Sequence, residues 1–120
     1  MNAQSTIRWG IVGAGNIANR FAQGLAFVPG TTLAGVWSRR PESATAFAGQ
    51  FHTKAYESFD ALLDNIDALY IATMQDSHPQ YALRAFQAGR AVLCEKPAAV
   101  NARALQEMID VARSSKLLFM

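Results

Sequence analysis

The sequence predicts an α/β domain built on a doubly wound parallel sheet, and three observations support this fold class. Apolar runs of strand length alternate with helical patterns along all 120 residues. The run at 67–73 is almost continuously apolar, as expected of a strand that helices cover on both faces. A glycine-rich turn at 13–15 separates the first strand from the first helix. We therefore expect residues 1–120 to form one domain.

Two strand–helix units are predicted in the first half of the chain. The β-rich run IRWGIV (7–12) leads through the glycine turn into a helix that begins near Asn16. An apolar stripe at helical spacing predicts that this helix continues to Val28, where Pro29-Gly30 ends it. TLAGVW (32–37) is the second predicted strand, and a proline suits the first turn of the helix predicted at 41–50.

The same alternation continues in the second half. We predict a helix opened by Ser58, a strand at 67–73, a helix from about 77 to 88, a strand at 90–96, a helix at 101–115 and a strand beginning at 116. Gly89 ends one of these helices, and the Asn101 side chain can accept the free amides that begin the last one. Because the final strand stops after five residues, we expect a domain cut from a longer protein.

Composition and charge exclude several classes of function. With 51% hydrophobic and 17% charged residues, the chain has the composition of a soluble globular protein. Its formal charge is +2 with scattered basic residues, so we expect no nucleic-acid partner. The polar opening MNAQSTIRWG is neither a signal peptide nor a membrane span, which predicts a cytoplasmic protein without a membrane partner. The single cysteine, Cys94, excludes an internal disulfide and a multi-cysteine metal site, and we expect no metal.

The glycine turn has the sequence and the setting of a dinucleotide-binding fingerprint. Gly13, Gly15 and Ala18 lie between a predicted strand and a predicted helix, which is the setting that the motif requires. Gly13 permits the tight turn, Gly15 lets the backbone approach a pyrophosphate, and Ala18 replaces the third glycine where helix packs on strand. Amides at the helix start supply donors and a favourable dipole for the anion. The alternative is a turn without a ligand, but the setting favours a Rossmann fold.

The end of the second predicted strand is where such folds select their cofactor. In most NAD binders an acidic side chain there accepts hydrogen bonds from the ribose diol. Here the place holds Ser38, followed by Arg39 and Arg40, which suit a 2′-phosphate because arginine forms paired charge-assisted hydrogen bonds and stacks on adenine. Arg40 precedes Pro41 and is expected to be extended. We expect NADP, with NAD as the alternative cofactor; the two arginines could instead be a solvated surface pair.

Glu95, Lys96 and Pro97 close the predicted strand at 90–96, at the edge of a parallel sheet where ligands bind. When hydride reduces a carbonyl to an alkoxide, an ammonium group at hydrogen-bond distance stabilises and protonates it, and the neutral amine takes the proton in reverse. Glu95 would orient Lys96 or the backbone beside it. From its position alone, Lys96 is more simply explained as a solvated surface charge.

These motifs together resemble those of the Gfo/Idh/MocA family, which is named for glucose-fructose oxidoreductase, inositol dehydrogenase and rhizopine catabolism. The resemblance rests on GIVGAGNIA (10–18), SRRPESATAFA (38–48) and YIATMQDSHPQYALRAFQAGRAVLCEKP (70–97), and covers essentially all 120 residues. GxGxxA alone is shared by many families, whereas its combination with CEKP at this distance is specific. The wording is most similar to the branch that holds dimeric dihydrodiol dehydrogenases and NADP-dependent sugar dehydrogenases.

The resemblance implies a role for each part of this sheet edge. It implies that the glycine loop holds the pyrophosphate, that the Ser38 region holds the adenosine end, and that Lys96 is the catalytic residue. The implied cofactor-binding residues are Gly13, Ala14, Gly15, Asn16, Ile17, Ser38, Arg39, Arg40, Ala72, Thr73, His78, Glu95, Lys96 and Pro97. Of these, Ala72, Thr73 and His78 would line the path to the nicotinamide, although His78 taken alone is more often a residue that starts a helix.

The resemblance also implies an activity and a domain organisation. It implies hydride transfer between a nicotinamide dinucleotide and a secondary alcohol or carbonyl of a sugar, polyol or cyclic diol. Members of the family carry a second α/β domain, so we expect a substrate domain after Met120, a homo-oligomeric parent protein and an inactive isolated chain. The alternative, from a different class, is a non-catalytic module that senses NAD(P) and relays its redox state to a partner. The position of Lys96 favours the enzyme.

Overall fold

The structure is a computed structural model that describes residues 6–73, 77–94 and 102–120. Strands and helices alternate through these ranges, as the sequence predicts. Their bounds are β1 (Ile7–Val12), α1 (Asn16–Leu25), β2 (Thr31–Trp37), α2 (Pro41–Phe51), α3 (Phe59–Leu63), β3 (Ala68–Ile71), α4 (His78–Gln87), β4 (Ala91–Cys94) and α5 (Ala102–Ser114).

All the named strands are parallel and lie in the order β2-β1-β3-β4. A single parallel bridge pairs Ala55 with Val36 of β2, and another pairs Phe119 with Val92 of β4. When these two short segments are counted as strands, the spatial order is 3-2-1-4-5-6, the order of dinucleotide-binding doubly wound sheets. The predicted Rossmann fold class is confirmed.

Helices cover both faces of the sheet. Since successive strand residues point to opposite sides, neighbouring residues of one strand belong to different apolar clusters. Ile11 belongs to the apolar cluster that the sheet forms with α1 and α2, whereas its neighbour Val12 belongs to the cluster formed with α3, α4 and α5. Both side chains are fully buried, and burial of such a side chain contributes about 1.5 to 3 kcal/mol. The continuous apolar character of the central strands follows from this two-sided packing.

Several predicted helix ends are also confirmed. The Ser58 hydroxyl accepts a hydrogen bond from the Ala61 N–H at 3.0 Å and so caps α3. Gly89 follows α4 with a φ of +79°, a left-handed conformation that glycine adopts without a steric penalty. Asn101, the predicted cap of α5, lies outside the described residues.

Two predicted boundaries differ from the structure. Helix α1 ends at Leu25, and the backbone turns at once, with the Val28 N–H donating to the Leu25 carbonyl at 3.0 Å. Val28 is apolar and fits the helical spacing in the sequence, but it is about half exposed and does not belong to the buried face of α1. The final predicted strand is reduced to the single bridge of Phe119.

No helix within the three described ranges combines the length and the apolar character that crossing a bilayer requires.

Candidate functional site

The carboxyl ends of β1, β2 and β3 surround a cavity of about 430 Å³. Its described lining is Val12, Gly13, Trp37, Ser38, Arg39, Arg40, Thr73 and Tyr81. All but Tyr81 end a strand or follow one. The structure therefore brings together five of the sequence-predicted cofactor residues, which come from three separate strand ends: Gly13, Ser38, Arg39, Arg40 and Thr73.

Gly13 is required by the way the three strand ends pack. Its φ is +103°, and a Cβ atom at this position would lie 2.7 Å from the carbonyl oxygen of Ala72. Its N–H donates to the carbonyl of Trp37 at 2.9 Å. The turn after β1 is thus pressed against the end of β3 and hydrogen-bonded to the end of β2, and only glycine fits there.

Gly15 is glycine for a different reason. It precedes α1 as the N-cap, with an extended backbone (φ −95°, ψ −163°) that other residues adopt readily. A Cβ atom added to it would meet no atom of the described residues within 4 Å. Neither backbone strain nor packing against the described residues explains this glycine, and the space beside it fits the close approach of a pyrophosphate to the first α1 amides.

The remaining residues of the glycine loop take different positions. Ala18 is fully buried, which confirms that it packs the helix on the sheet. Ala14 is partly buried against the same apolar cluster, while Asn16 and Ile17 are exposed at the start of α1. The described lining of the cavity does not include Ala14, Gly15, Asn16 or Ile17, so their predicted contact with a cofactor stays a prediction.

The turn between β2 and α2 places two cations beside the cavity. The Ser38 hydroxyl accepts a hydrogen bond from the Arg40 N–H at 3.2 Å, which holds the turn in shape. Arg40 is extended (φ −106°, ψ 105°), as its position before Pro41 predicts. Arg39 and Arg40 are exposed, and neither forms an ion pair with any described residue. The described lining contains no acidic side chain, so this turn presents positive charge to the cavity.

His78 joins the end of β3 to the start of α4. Its side chain is 1% exposed, and its Nε2 lies 2.8 Å from the carbonyl oxygen of Thr73. Because a carbonyl only accepts, the Nε2–H donates this hydrogen bond. Nearby, the Ser77 hydroxyl donates to the Thr73 hydroxyl at 2.7 Å. This geometry favours the interpretation of His78 as a residue that fixes the helix start; its contact with a cofactor, like that of Ala72, stays a prediction.

Two aromatic residues of the lining were missed in the sequence. The rings of Trp37 and Tyr81 meet edge to face, with centroids 6.1 Å apart and an interplanar angle of 65°. Trp37 ends β2 and immediately precedes the predicted site residue Ser38, and Tyr81, on the first turn of α4, follows the predicted site residue His78 by one helical turn. The nearness of each aromatic residue to a predicted site residue is the signal that could have identified them.

The predicted roles of Glu95, Lys96 and Pro97 lie outside the described residues. Strand β4 is described as far as Cys94, which pairs in register with Ile71 at the end of β3. Within residues 6–73, 77–94 and 102–120, no group of three or more His, Cys, Asp or Glu side chains could hold a metal ion.

Comparison with known proteins gives the following similarities. Residues 7–120 match the family model of Gfo/Idh/MocA, described as an oxidoreductase family with an NAD-binding Rossmann fold. Trans-1,2-dihydrobenzene-1,2-diol dehydrogenase from Mus musculus is 41% identical over 119 residues, which cover 95% of this chain and 36% of the relative. Glucose-6-phosphate 3-dehydrogenase from Bacillus subtilis is 35% identical over 103 residues, 86% of this chain and 29% of the relative.

Solved structures show the same similarity in three dimensions. An NAD-binding protein from Listeria innocua superposes with a TM-score of 0.91 at 33% identity, covering 97% of this chain and 35% of that one. A 3-ketoreductase from Actinomadura kijaniata, in complex with NADP and TDP-benzene, gives a TM-score of 0.91 at 34% identity, covering 97% and 37%. The chain spans little more than a third of the length of most of these relatives.

Proposed function

The chain belongs to the Gfo/Idh/MocA oxidoreductase family and has its NAD-binding Rossmann fold, and on this premise we propose that it is the cofactor-binding part of an NADP-dependent dehydrogenase. The reaction is hydride transfer between the nicotinamide and a secondary alcohol, or its carbonyl, on a sugar, polyol or cyclic diol. The names of two relatives, dehydrogenases of a dihydrobenzenediol and of glucose-6-phosphate, support this substrate class.

One observation carries the proposal: among the described residues, open space at a helix N-terminus and positive charge without an ion-pair partner occur at the same sheet edge. The pyrophosphate binds in front of Gly15, where an added Cβ would meet nothing and the amides of α1 begin. The adenosine end binds in the cavity between Gly13 and the β2–α2 turn. The two subsites lie next to each other, as one extended dinucleotide requires.

The preference for NADP rests on the β2–α2 turn. Ser38 leaves no carboxylate to repel a 2′-phosphate, and its hydroxyl already accepts from the Arg40 N–H. Arg39 and Arg40 carry charge that no described residue neutralises. The Actinomadura relative, whose structure contains NADP, supports this choice of cofactor.

The nicotinamide ring supplies hydride transfer when it is bound. We propose that Lys96 performs the accompanying proton transfer. Its ammonium group donates a proton to the alkoxide oxygen when a carbonyl is reduced, and its amine accepts that proton when the alcohol is oxidised. A positioned acid or base of this kind contributes about 10² to 10⁴ in rate.

We further propose that a second α/β domain positions the substrate and forms a homo-oligomer, and that the protein works in the cytoplasm. The 120-residue chain alone then binds cofactor without turnover. The reason is that orienting the reactants is worth about 7 to 11 kcal/mol of the barrier, and in this proposal the second domain supplies the groups that orient the substrate.

Two measurements test the proposed function. Calorimetric titration of the chain with NADP and with NAD should show binding of both and tighter binding of NADP; absence of binding to either would sink the proposal. In a protein that joins the chain to its substrate domain, Lys96→Ala should lower turnover by about 10² to 10⁴ and leave cofactor affinity nearly unchanged. The exposed Lys54, changed to alanine, is the matched control. Tight cofactor binding without dehydrogenase activity on sugars and polyols would instead support the sensor module.

A further inference from the structure

Tyr81 is the one residue of the described cavity lining that belongs to a helix. Its side chain is 3% exposed. Its ring packs edge to face on Trp37, and on Phe59 with centroids 4.9 Å apart and an interplanar angle of 68°. Tyr81, Trp37 and Phe59 therefore form a cluster of three rings, which holds the Tyr81 ring in place beside the cavity.

The Tyr81 hydroxyl has no hydrogen-bond partner within residues 6–73, 77–94 and 102–120. This is unusual for a side chain that is more than nine-tenths buried, because the large majority of buried polar groups are hydrogen-bonded. A hydroxyl can both donate and accept, and this one has no partner among the described residues. Because Tyr81 lines the cavity, a ligand bound there can supply that partner.

The shape and chemistry of the cavity indicate what that partner is. Trp37 and Tyr81 give one part of the lining an aromatic surface, which suits a flat ring. Arg39 and Arg40 provide the charge for a phosphate at another part of the same lining. A purine nucleotide has both parts, a flat base with hydrogen-bond donors and acceptors on its edge and a phosphorylated ribose.

We propose that Tyr81 is a specificity-determining residue whose hydroxyl hydrogen-bonds to the adenine base of the dinucleotide. This inference rests on the proposed cofactor site and deepens it. Arg39 acts on the 2′-phosphate, which only NADP carries, whereas Tyr81 acts on the base that NADP and NAD share. The two residues therefore have different experimental signatures.

The test is Tyr81→Phe, which removes the hydroxyl and keeps the ring against Trp37 and Phe59. NADP, NAD, ADP and UDP are titrated into the 120-residue chain, directly or in competition with NADP. Affinities for NADP, NAD and ADP should each fall by about three- to tenfold, the effect of one net hydrogen bond, and the ratio of NADP to NAD affinity should not change. Affinity for UDP, which carries a pyrimidine, should stay the same.

The melting temperature of the ligand-free chain separates this role from a structural one. Because Tyr81 loses no hydrogen bond within the described protein, Tyr81→Phe should leave that temperature unchanged or slightly raised. Tyr70→Phe is the matched control, since Tyr70 is also buried but packs on Phe21 in the other apolar cluster. It should leave affinity for ADP unchanged.

Three results would contradict the inference in distinguishable ways. Unchanged ADP affinity in Tyr81→Phe, with NADP still bound, overturns the role of Tyr81 and leaves the proposed function standing. A drop of several degrees in the melting temperature of the free variant shows that the hydroxyl serves the fold. Failure of the wild-type chain to bind either dinucleotide rejects the proposed function, and this inference with it.

Discussion

Arginine side chains are paired differently at the amino edge of the sheet, where the strands begin, and at the carboxyl edge, where they end. At the amino edge, Arg8 of β1 forms an ion pair with Asp67, with 3.0 Å between Nη2 and Oδ1. The Asp67 carboxylate also accepts from the backbone N–H of Arg8 at 2.8 Å. At the carboxyl edge, Arg39 and Arg40 have no acidic partner among the described residues. Arg8 is therefore ion-paired at the start of the sheet, whereas Arg39 and Arg40, beside the cavity, have no ion-pair partner among the described residues.

The ion pair at the amino edge stabilises the fold, whereas the unpaired arginines support the proposal that the carboxyl edge binds an anionic ligand. At the amino edge, the hydrogen bond and charge of Arg8 hold the pKa of Asp67 below its ordinary value, and Asp67 in turn raises the pKa of Arg8. At the carboxyl edge, two adjacent cations repel each other without compensation from described residues, an arrangement that an anionic ligand relieves. Substitutions at the two edges should therefore affect different measurements.

The largest effect should come from the backbone of the carboxyl edge. Gly13→Ala places a Cβ atom 2.7 Å from the Ala72 carbonyl at a φ of +103°, so the free energy of unfolding should fall by about 2 to 5 kcal/mol in urea denaturation. Gly24→Ala, in α1 with nothing within 4 Å, is the control and should be neutral or stabilising. A Gly13→Ala chain as stable as wild type would show that the strand ends are less tightly packed than described.

The next effect separates binding from stability at the same edge. Gly15→Val faces open space on an extended backbone, so it should cost at most about 1 kcal/mol of stability as a poorer N-cap. Its side chain would fill the place proposed for the pyrophosphate, and loss of hydrogen bonds to a charged group should weaken NADP binding by about ten- to a hundredfold. Calorimetry and urea denaturation of one sample measure both quantities. Unimpaired binding would place the pyrophosphate elsewhere.

A smaller effect compares the arginines directly. Arg39→Ala should weaken NADP binding by about tenfold at low salt, less at moderate salt, and leave NAD binding unchanged, because an exposed guanidinium–phosphate pair is screened. Arg8→Ala is the matched control and should leave both affinities unchanged. Titration of the three proteins with both cofactors decides the matter. If Arg8→Ala also lowered NADP affinity selectively, overall charge rather than the β2–α2 turn would set the preference.

The smallest effect belongs to the amino edge. Because the pKa of Asp67 is lowered in the folded chain, its ion pair stabilises the fold above the ordinary carboxyl pKa, and this contribution is lost as pH falls through the folded-state pKa. Asp67 is 42% exposed, so Asp67→Asn should cost less than about 1 kcal/mol at neutral pH. Unfolding measured from pH 7 to pH 3 should show the two proteins converging. A constant difference across that range would mean that the carboxylate charge does not matter.

The sequence predicted the elements well because their signals are local. Strand runs, the proline that begins α2, the Ser58 cap and the turn at Gly89 depend on neighbouring residues, and all are found where expected. Helix α1 was predicted too long because Val28 is apolar, and hydropathy alone does not distinguish a buried residue from an exposed one. The last segment forms a single bridge at Phe119, with three backbone hydrogen bonds that join Leu118 and Met120 to β4.

The site was predictable where one short segment carries it. The glycine motif and the Ser38 turn are each contained in a few consecutive residues, so their chemistry can be predicted from the sequence. The contact between Trp37 and Tyr81 joins the end of β2 to the first turn of α4, and both rings also pack on Phe59 of α3. A cavity wall formed by distant segments has no local pattern to detect.

A hydrogen bond at the carboxyl edge links the two turns that are proposed to bind the two halves of the dinucleotide. The hydrogen bond from the Gly13 N–H to the Trp37 carbonyl, 2.9 Å long, fixes the distance between the turn proposed to bind the pyrophosphate and the turn proposed to bind the adenosine. A dinucleotide held at one of these turns presents its other half to the second at a high effective concentration. If the proposed site is correct, the sheet acts as a rigid spacer, and two individually weak contacts should combine into an affinity well above that of either fragment.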